Sequence, residues 1–461
     1  MRRLIVYITS LLVLLISSCA TGPADRAEGT VLPEAPVITL EEPLELQEIL
    51  YASSLGTSVV TVSADGSERT VLLESTEFPS FARGIVTAHT WSSDGEAVAL
   101  AVHLRTAEGR RLETLYVGRE GERELRPVFS SPNVSPFYIY WNPETEEVSF
   151  IGGDGTGALY LYVVDTVSGE AQVAHRGTSS LYWSWAEDGE SLVTHTGGGL
   201  DGGQGTLRLH RRDNGTFQPR VLTMRERSGG RFQVPDVTNG GDRIAVALRN
   251  QFGSSTLAIL SPQGDLLRRV ADFDGAAAIS WSPNGRYLAY VEGARRFGGG
   301  VVGTLTVVDT ERVDSVVRAE KPVAKTVMLL QDSPSDSPSR VLSYVWSPDS
   351  SRILYYEPRY VSQGDAPLKI FMQASILNVG TGETEALGSY RPAPEFLRRI
   401  LPFYDQYARS STVWSPSGRR IVFNGLNEDG QQAIFVVDLE NREREPVEIG
   451  EGVVPLWRPE E

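Results

Sequence analysis

The chain has 461 residues, 59 Asp and Glu against 43 Lys and Arg, a formal charge of −16 and a single Cys. An acidic field of this size excludes binding of nucleic acid or anionic lipid through overall charge. A lone Cys excludes a disulfide-stapled fold, so buried apolar surface has to hold the structure.

Arg2 and Arg3 precede an apolar run, Leu4–Ile16, which is short for a membrane span and gives way to small residues before Cys19. Residues 1–18 are therefore expected to be a signal peptide. Its removal takes two Arg and no acid and leaves a formal charge of −18. The stretch Ile16-Ser17-Ser18-Cys19 resembles the bacterial lipoprotein box, which implies that Cys19 is lipidated and becomes the mature N-terminus. The expected location is the bacterial cell envelope, at the periplasmic face or the cell surface. Ala20, in place of an Asp, points to the outer membrane where there is one. Residues 19–45, rich in Pro, Glu and Ala and without apolar periodicity, read as a flexible tether, and residues 46–461 as the folded domain.

Beyond the tether one phrase recurs. It reads WSSDG at Trp91, WNPETEE at Trp141, WAEDG at Trp185, WSPNG at Trp281, WSPDS at Trp346 and WSPSG at Trp414, with a truncated WRPEE at Trp457. A phrase repeated at this spacing marks a repeat architecture. In the unit around Trp281, Ala276–Trp281 is followed by the turn SPNG and by β-rich runs at Tyr287–Glu292, Thr304–Thr310 and Asp314–Arg318. Four short strands separated by tight turns read as one blade of a β-propeller. One further unit, Pro235–Leu248, lacks the Trp and puts Val237 in its place. These make seven units.

The lone first strand at Val453–Trp457 then requires three partners. Glu48–Ala52, Ser58–Ser63 and Thr70–Glu74 supply them. The expectation is an all-β fold, a single propeller of eight four-stranded blades closed by pairing the two termini, with seven blades as the alternative. Such closure removes free inner edges. The repeated Trp is expected to pack between blades and to bond locally through its N–H.

The WSPDG-type phrase, followed by strands such as RYLAYV and TLTVVDT, resembles the TolB-like propeller repeat over nearly the whole mature chain. TolB itself carries an α/β domain before a six-bladed ring, and this chain has neither the room for that domain nor that blade count. The resemblance implies an envelope-located propeller that binds something.

Strand alternation separates the connections by face. First-to-second and third-to-fourth turns are short, while Gly197–Gly205, Ala294–Gly303, Arg318–Arg340, Pro358–Lys369 and Arg391–Ser410 fall on the opposite face. Long loops on a rigid scaffold are where function concentrates. Three of them carry Arg295, Arg296, Arg359, Lys369, Arg391, Arg398, Arg399 and Arg409 against Asp365, Glu395 and Asp405. Phe297, Tyr360, Phe403, Tyr404 and Tyr407 accompany them. Arg with Tyr is a common interface composition. Arg295, Arg296, Arg359, Arg398, Arg399, Tyr404, Tyr407 and Arg409 are the candidate contacts to an envelope protein or an anionic glycan. The competing expectation is that these Arg pair with local acids and the aromatics plug the channel. Pro394–Ser410 has near-helical apolar spacing, broken at Pro402.

Catalytic signatures are scarce. GGGLDG at Gly197 and GGGVVG at Gly298 match a dinucleotide-loop pattern but lead into strands rather than helices. No nucleophile elbow occurs, and the five His, among them His103 and His195 in second strands, have no metal-ligand spacing. No cofactor, metal or catalytic residue is expected. The expected function is non-enzymatic binding or scaffolding. The alternatives are a glycan hydrolase or lyase at the channel mouth and a structural subunit of a larger envelope assembly.

Overall fold

A computed structural model describes residues 34–460 apart from 79–80, 82, 154, 178–180, 198–204, 223–227, 230–233, 239, 250–253, 274–275, 298–299, 312–326, 329–340, 362–368 and 442–444. Side chains at 228–229, 249, 276, 293–297, 300–301, 327–328 and 360–361 also lie outside the described set.

The strands form eight antiparallel sheets that follow one another in sequence, an eight-bladed β-propeller. The inner strands of blades 1 to 3 are Arg83–Trp91, Ser135–Trp141 and Leu181–Trp185. Blade 4 has a broken inner strand, Ser228–Gly229 and Asp236–Val237, both paired with Ile244–Arg249. Blades 5 and 6 begin with Ala276–Trp281 and Ser343–Trp346, and in blade 7 the inner position is the single bridge Trp414–Ile421. Blade 8 joins the termini: Val453–Trp457 pairs with Ile49–Ala52, with Ile49 opposite Trp457 and Leu50 opposite Leu456, and Ser58–Val62 and Arg69–Glu74 complete it.

Near-continuous apolar runs in the inner strands bury both faces of each sheet, because each blade packs against two neighbours. The second strands Ala97–Arg105 and Ser191–Thr196 are accordingly almost wholly buried. The Trp side chains fill the seams. Trp91 Nε1 donates to the Leu456 carbonyl at 3.1 Å, Trp281 to Asp236 at 3.2 Å, Trp346 to Ser280 at 3.4 Å and Trp414 to Val345 at 3.3 Å, in each case on the preceding blade. The Trp91 bond crosses the closing seam with the same geometry as the others. The terminal join therefore reproduces an ordinary blade interface.

Two local differences from the sequence expectation have physical causes. The fourth strand of blade 5 is Val327–Met328, paired with Val307 and Thr306; Asp314–Arg318 lies outside the described residues. Ahead of Ile49, Ile38–Thr39 adds a fifth strand to the outer edge of blade 1, and Leu44 and Leu46 are buried. The last part of the expected tether is thus laid against the propeller, where it covers an edge strand.

Candidate functional site

The connection from blade 6 to blade 7 departs from the β pattern. Phe396–Ile400 forms a π-helical turn, Leu401–Phe403 a 3₁₀ turn with Pro402 near its start, and Tyr404–Tyr407 a single α turn. Pro402 fits there because the first residues of a helical turn need no N–H partner, and it prevents the three pieces from merging into one helix.

This segment is a plug. It enters from the long-loop face, bonds to the inner strands of four blades and packs a ring against that of a fifth. Arg399 Nη2 donates to the Thr87 carbonyl of blade 1. Tyr138 of blade 2 donates its hydroxyl to the Gln406 carbonyl, and its ring meets Tyr407 edge-on at 4.6 Å. On blade 3, the buried Gln406 side chain donates to the Trp183 carbonyl at 2.9 Å and accepts its N–H at 3.2 Å. Arg409 forms an ion pair with Asp236 of blade 4, and Tyr404 packs edge-on against Tyr344 of blade 6 at 5.8 Å.

Asp236 is 2% exposed on its side chain, and its other oxygen accepts the Trp281 N–H at 2.6 Å. A buried carboxylate needs such compensation, since an unpaired one would be strongly destabilising. Desolvation lowers the Arg409 pKa from its ordinary value, partly offset by the Tyr140 and Tyr138 hydroxyls.

Beside the plug a cleft of about 280 Å³ opens between blades 8 and 1. One wall is the turn Ser53–Gly56. Gly56 has φ +67°, and a Cβ there would lie 2.4 Å from the Val86 carbonyl oxygen, so only glycine lets this turn sit on blade 1. Glu395, Arg399 and Ile400 of the plug also line the cleft. His89 lines it too, with Nε2 2.7 Å from the Val454 carbonyl. Desolvation, aided by Arg399, brings the His89 pKa down to about 4 against the pull of that bond, so the ring is neutral at neutral pH.

The inner strands around the cleft are bulged. Pairing skips Thr87 in blade 1, Tyr138 in blade 2 and the Val454 region in blade 8. Tyr138 and Val454 both sit at φ 54°. For a β-branched valine that is a costly conformation, and such outliers concentrate at functional sites.

The residues expected to form the site are only partly brought together. Arg398 and Arg399 are exposed on the plug, and Arg399 also lines the cleft. Tyr404 is buried, Tyr407 is half-buried against Tyr138, and Arg409 is engaged by Asp236. Arg359 is exposed and donates to Gln373 Oε1 at 3.1 Å within a long hairpin, Arg352–Val361 with Lys369–Asn378. Arg295 and Arg296 lie in a similar hairpin, opposite Val302 and Val301, with side chains outside the described set. Cys19 is outside the described residues. Glu395, His89 and Gln406 enter the site without having been singled out as contacts in the sequence.

Among the described residues no three His, Cys, Asp or Glu side chains are grouped as metal ligands would be. His103 instead contacts Glu113 at 2.6 Å within blade 1.

No family model matches the chain, and no curated protein matches it in sequence. Solved structures match in fold. TolB from Acinetobacter baumannii is 13% identical over 82% of this chain and 83% of its own, with a TM-score of 0.36. The C-terminal WD40 domain of Sif2 is 12% identical over 93% and 99%, with a TM-score of 0.44. An oligogalacturonate lyase in complex with manganese is 10% identical over 91% and 86%, with a TM-score of 0.43. Similarity at this level is to the fold alone: the chain is a β-propeller with a weak, distant likeness to TolB.

Proposed function

We propose that this protein is a lipid-anchored, non-enzymatic propeller of the bacterial cell envelope that holds a protein or anionic glycan partner on its long-loop face. The observation that carries the reading is the plug. A segment bonded to four inner strands and packed on a fifth presents Arg398 and Arg399 at the surface, next to a cleft, in a chain whose overall charge is strongly negative. A rigid support of this kind lowers the ordering cost of binding. The neighbouring exposed apolar groups Leu55 and Phe403 supply the desolvated contact that charged residues alone do not. The binding reading is further supported by the cleft's carboxylate content: among the described residues Glu395 is the one carboxylate lining it, whereas acid-base cleavage of a glycosidic bond employs a pair.

The test is in-cell crosslinking of the lipidated protein followed by affinity capture and mass spectrometry, with Arg398→Glu, Arg399→Glu as the paired variant. One envelope partner that is lost in the variant is the expected result. Capture that is indifferent to both reversals would remove this face from the account.

A further inference from the structure

We propose that the cleft between the plug and blades 8 and 1 is a binding site for a small zwitterion, an α-amino acid or dipeptide with apolar side chains. Glu395, which caps the π-helical turn, and Arg399, four residues on within it, both line the cleft. They form no ion pair with one another, and Glu395 has no ion-pair or hydrogen-bond partner among the described residues. Arg399 commits one N–H to the Thr87 carbonyl and keeps its remaining donors.

An acid and a base held in one concavity without neutralising each other match a ligand that carries both charges. Arg399 is suited to the carboxylate, for which its planar fork has the right geometry. Glu395 is suited to the ammonium group. His89, a neutral lining residue, adds no competing charge.

The rest of the lining fits the body of such a ligand. Ile85, Ile139, Ile400, Val453 and Leu456 offer apolar surface, and Ser54 and Ser411 border it with hydroxyls. The volume of about 280 Å³ lies at the lower limit of small-molecule sites, about 300 Å³ upward, so the ligand is a small one. The strained Val454, at φ 54°, turns its carbonyl to His89.

The proposal rests on the reading of this face as the binding face. It can fail separately, because Glu395→Gln leaves Arg398 and Arg399 in place for partner capture.

The test is titration calorimetry on the full-length protein in detergent with L-leucyl-L-leucine, its N-acetyl derivative and its C-terminal amide. The free dipeptide is expected to bind, and each blocked analogue about tenfold more weakly, the loss of one charge-assisted bond. Glu395→Gln, whose side chain supports no other residue, is expected to weaken the free dipeptide about tenfold and to leave the N-acetyl form unchanged. No heat with the free dipeptide, or equal affinity for the blocked forms, overturns the proposal.

Discussion

Arg352 of blade 6 lies over the Trp414 ring of blade 7, its guanidinium carbon 5.1 Å from the ring centre, and donates from Nη2 to the Gly418 carbonyl at 2.6 Å. The same clasp joins Arg243 of blade 4 to Trp281 at 4.9 Å and to the Gly285 carbonyl at 2.9 Å. Between blades 2 and 3 the Arg position holds Glu147, and the turn glycine is bonded from a different position, Asn142 Nδ2 donating to the Gly189 carbonyl at 2.9 Å. The turn glycine of the repeated phrase, left-handed at φ +67° in Gly418, thus presents its carbonyl to the preceding blade.

From the clasp, Arg352→Ala is expected to cost about 2 kcal/mol, combining a charge-assisted hydrogen bond with stacking on the indole. Arg352→Lys should retain only part of this, because a point charge cannot stack and bond at once. Urea unfolding checks both. An Arg352→Ala protein with stability within about 0.5 kcal/mol of the parent, the range for ordinary surface changes, would show the clasp to be idle.

Gln406→Ala should loosen the plug. The change strips both partners from the Trp183 backbone in a buried place, at about 1–3 kcal/mol per orphaned group. Hydrogen exchange is expected to accelerate at residues 394–411 and 181–185 while blade 7 keeps its protection. Unchanged exchange in the plug would contradict the anchoring role.

Removal of residues 452–461 takes the inner strand from blade 8 together with the acceptors of His89 and Trp91. Loss of a cooperative unfolding transition is the expected outcome, read by circular dichroism on heating. A truncated protein that melts as sharply as the intact one would mean that the ring does not depend on its terminal join.

Stability should fall as pH drops from about 6.5 toward 4. His175 and His210, rings 5.1 Å apart across blades 2 and 3, have pKa values brought down to about 4 and about 3, chiefly by desolvation, then for His210 by the neighbouring His175, and for both by Arg208. The unfolded chain takes up protons near 6.5 that the folded chain refuses, so the stability present above 6.5 is lost progressively below it. Each ring contributes up to about 1.4 kcal/mol per pH unit in that window. Urea unfolding at pH 7, 6 and 5 should show the decline, and His175→Gln with His210→Gln should reduce it to the part that His89, also brought down to about 4, contributes. An unaltered slope in that double variant would assign the decline to other groups.

The blade count, the Trp-less fourth blade and the terminal join were legible because each blade repeats the same local demands: an apolar inner strand, a Trp for the seam and a left-handed turn residue. The plug was legible only as an aromatic, near-helical interruption. Its anchors pair residues hundreds of positions apart, such as Gln406 with Trp183, and nothing local in the sequence reports such pairs. Asp236 was the exception in principle. It occupies the position before the seam residue, where the other blades have Thr90, Tyr140, Ser184, Ser280, Val345, Val413 and Leu456. An acid there implies a buried cation, which is Arg409. The left-handed conformations of Tyr138 and Val454 have no sequence signal, since neither residue type favours them.

The most direct test of the binding-face account uses a photo-crosslinking amino acid at Arg398, on the plug, and separately at Arg419, beside the tight Ser415–Gly418 turn of the opposite face. The account predicts that irradiation in cells yields one discrete envelope adduct from position 398 and none from position 419. An adduct from position 419 with none from 398 would place the partner on the short-turn face and contradict it.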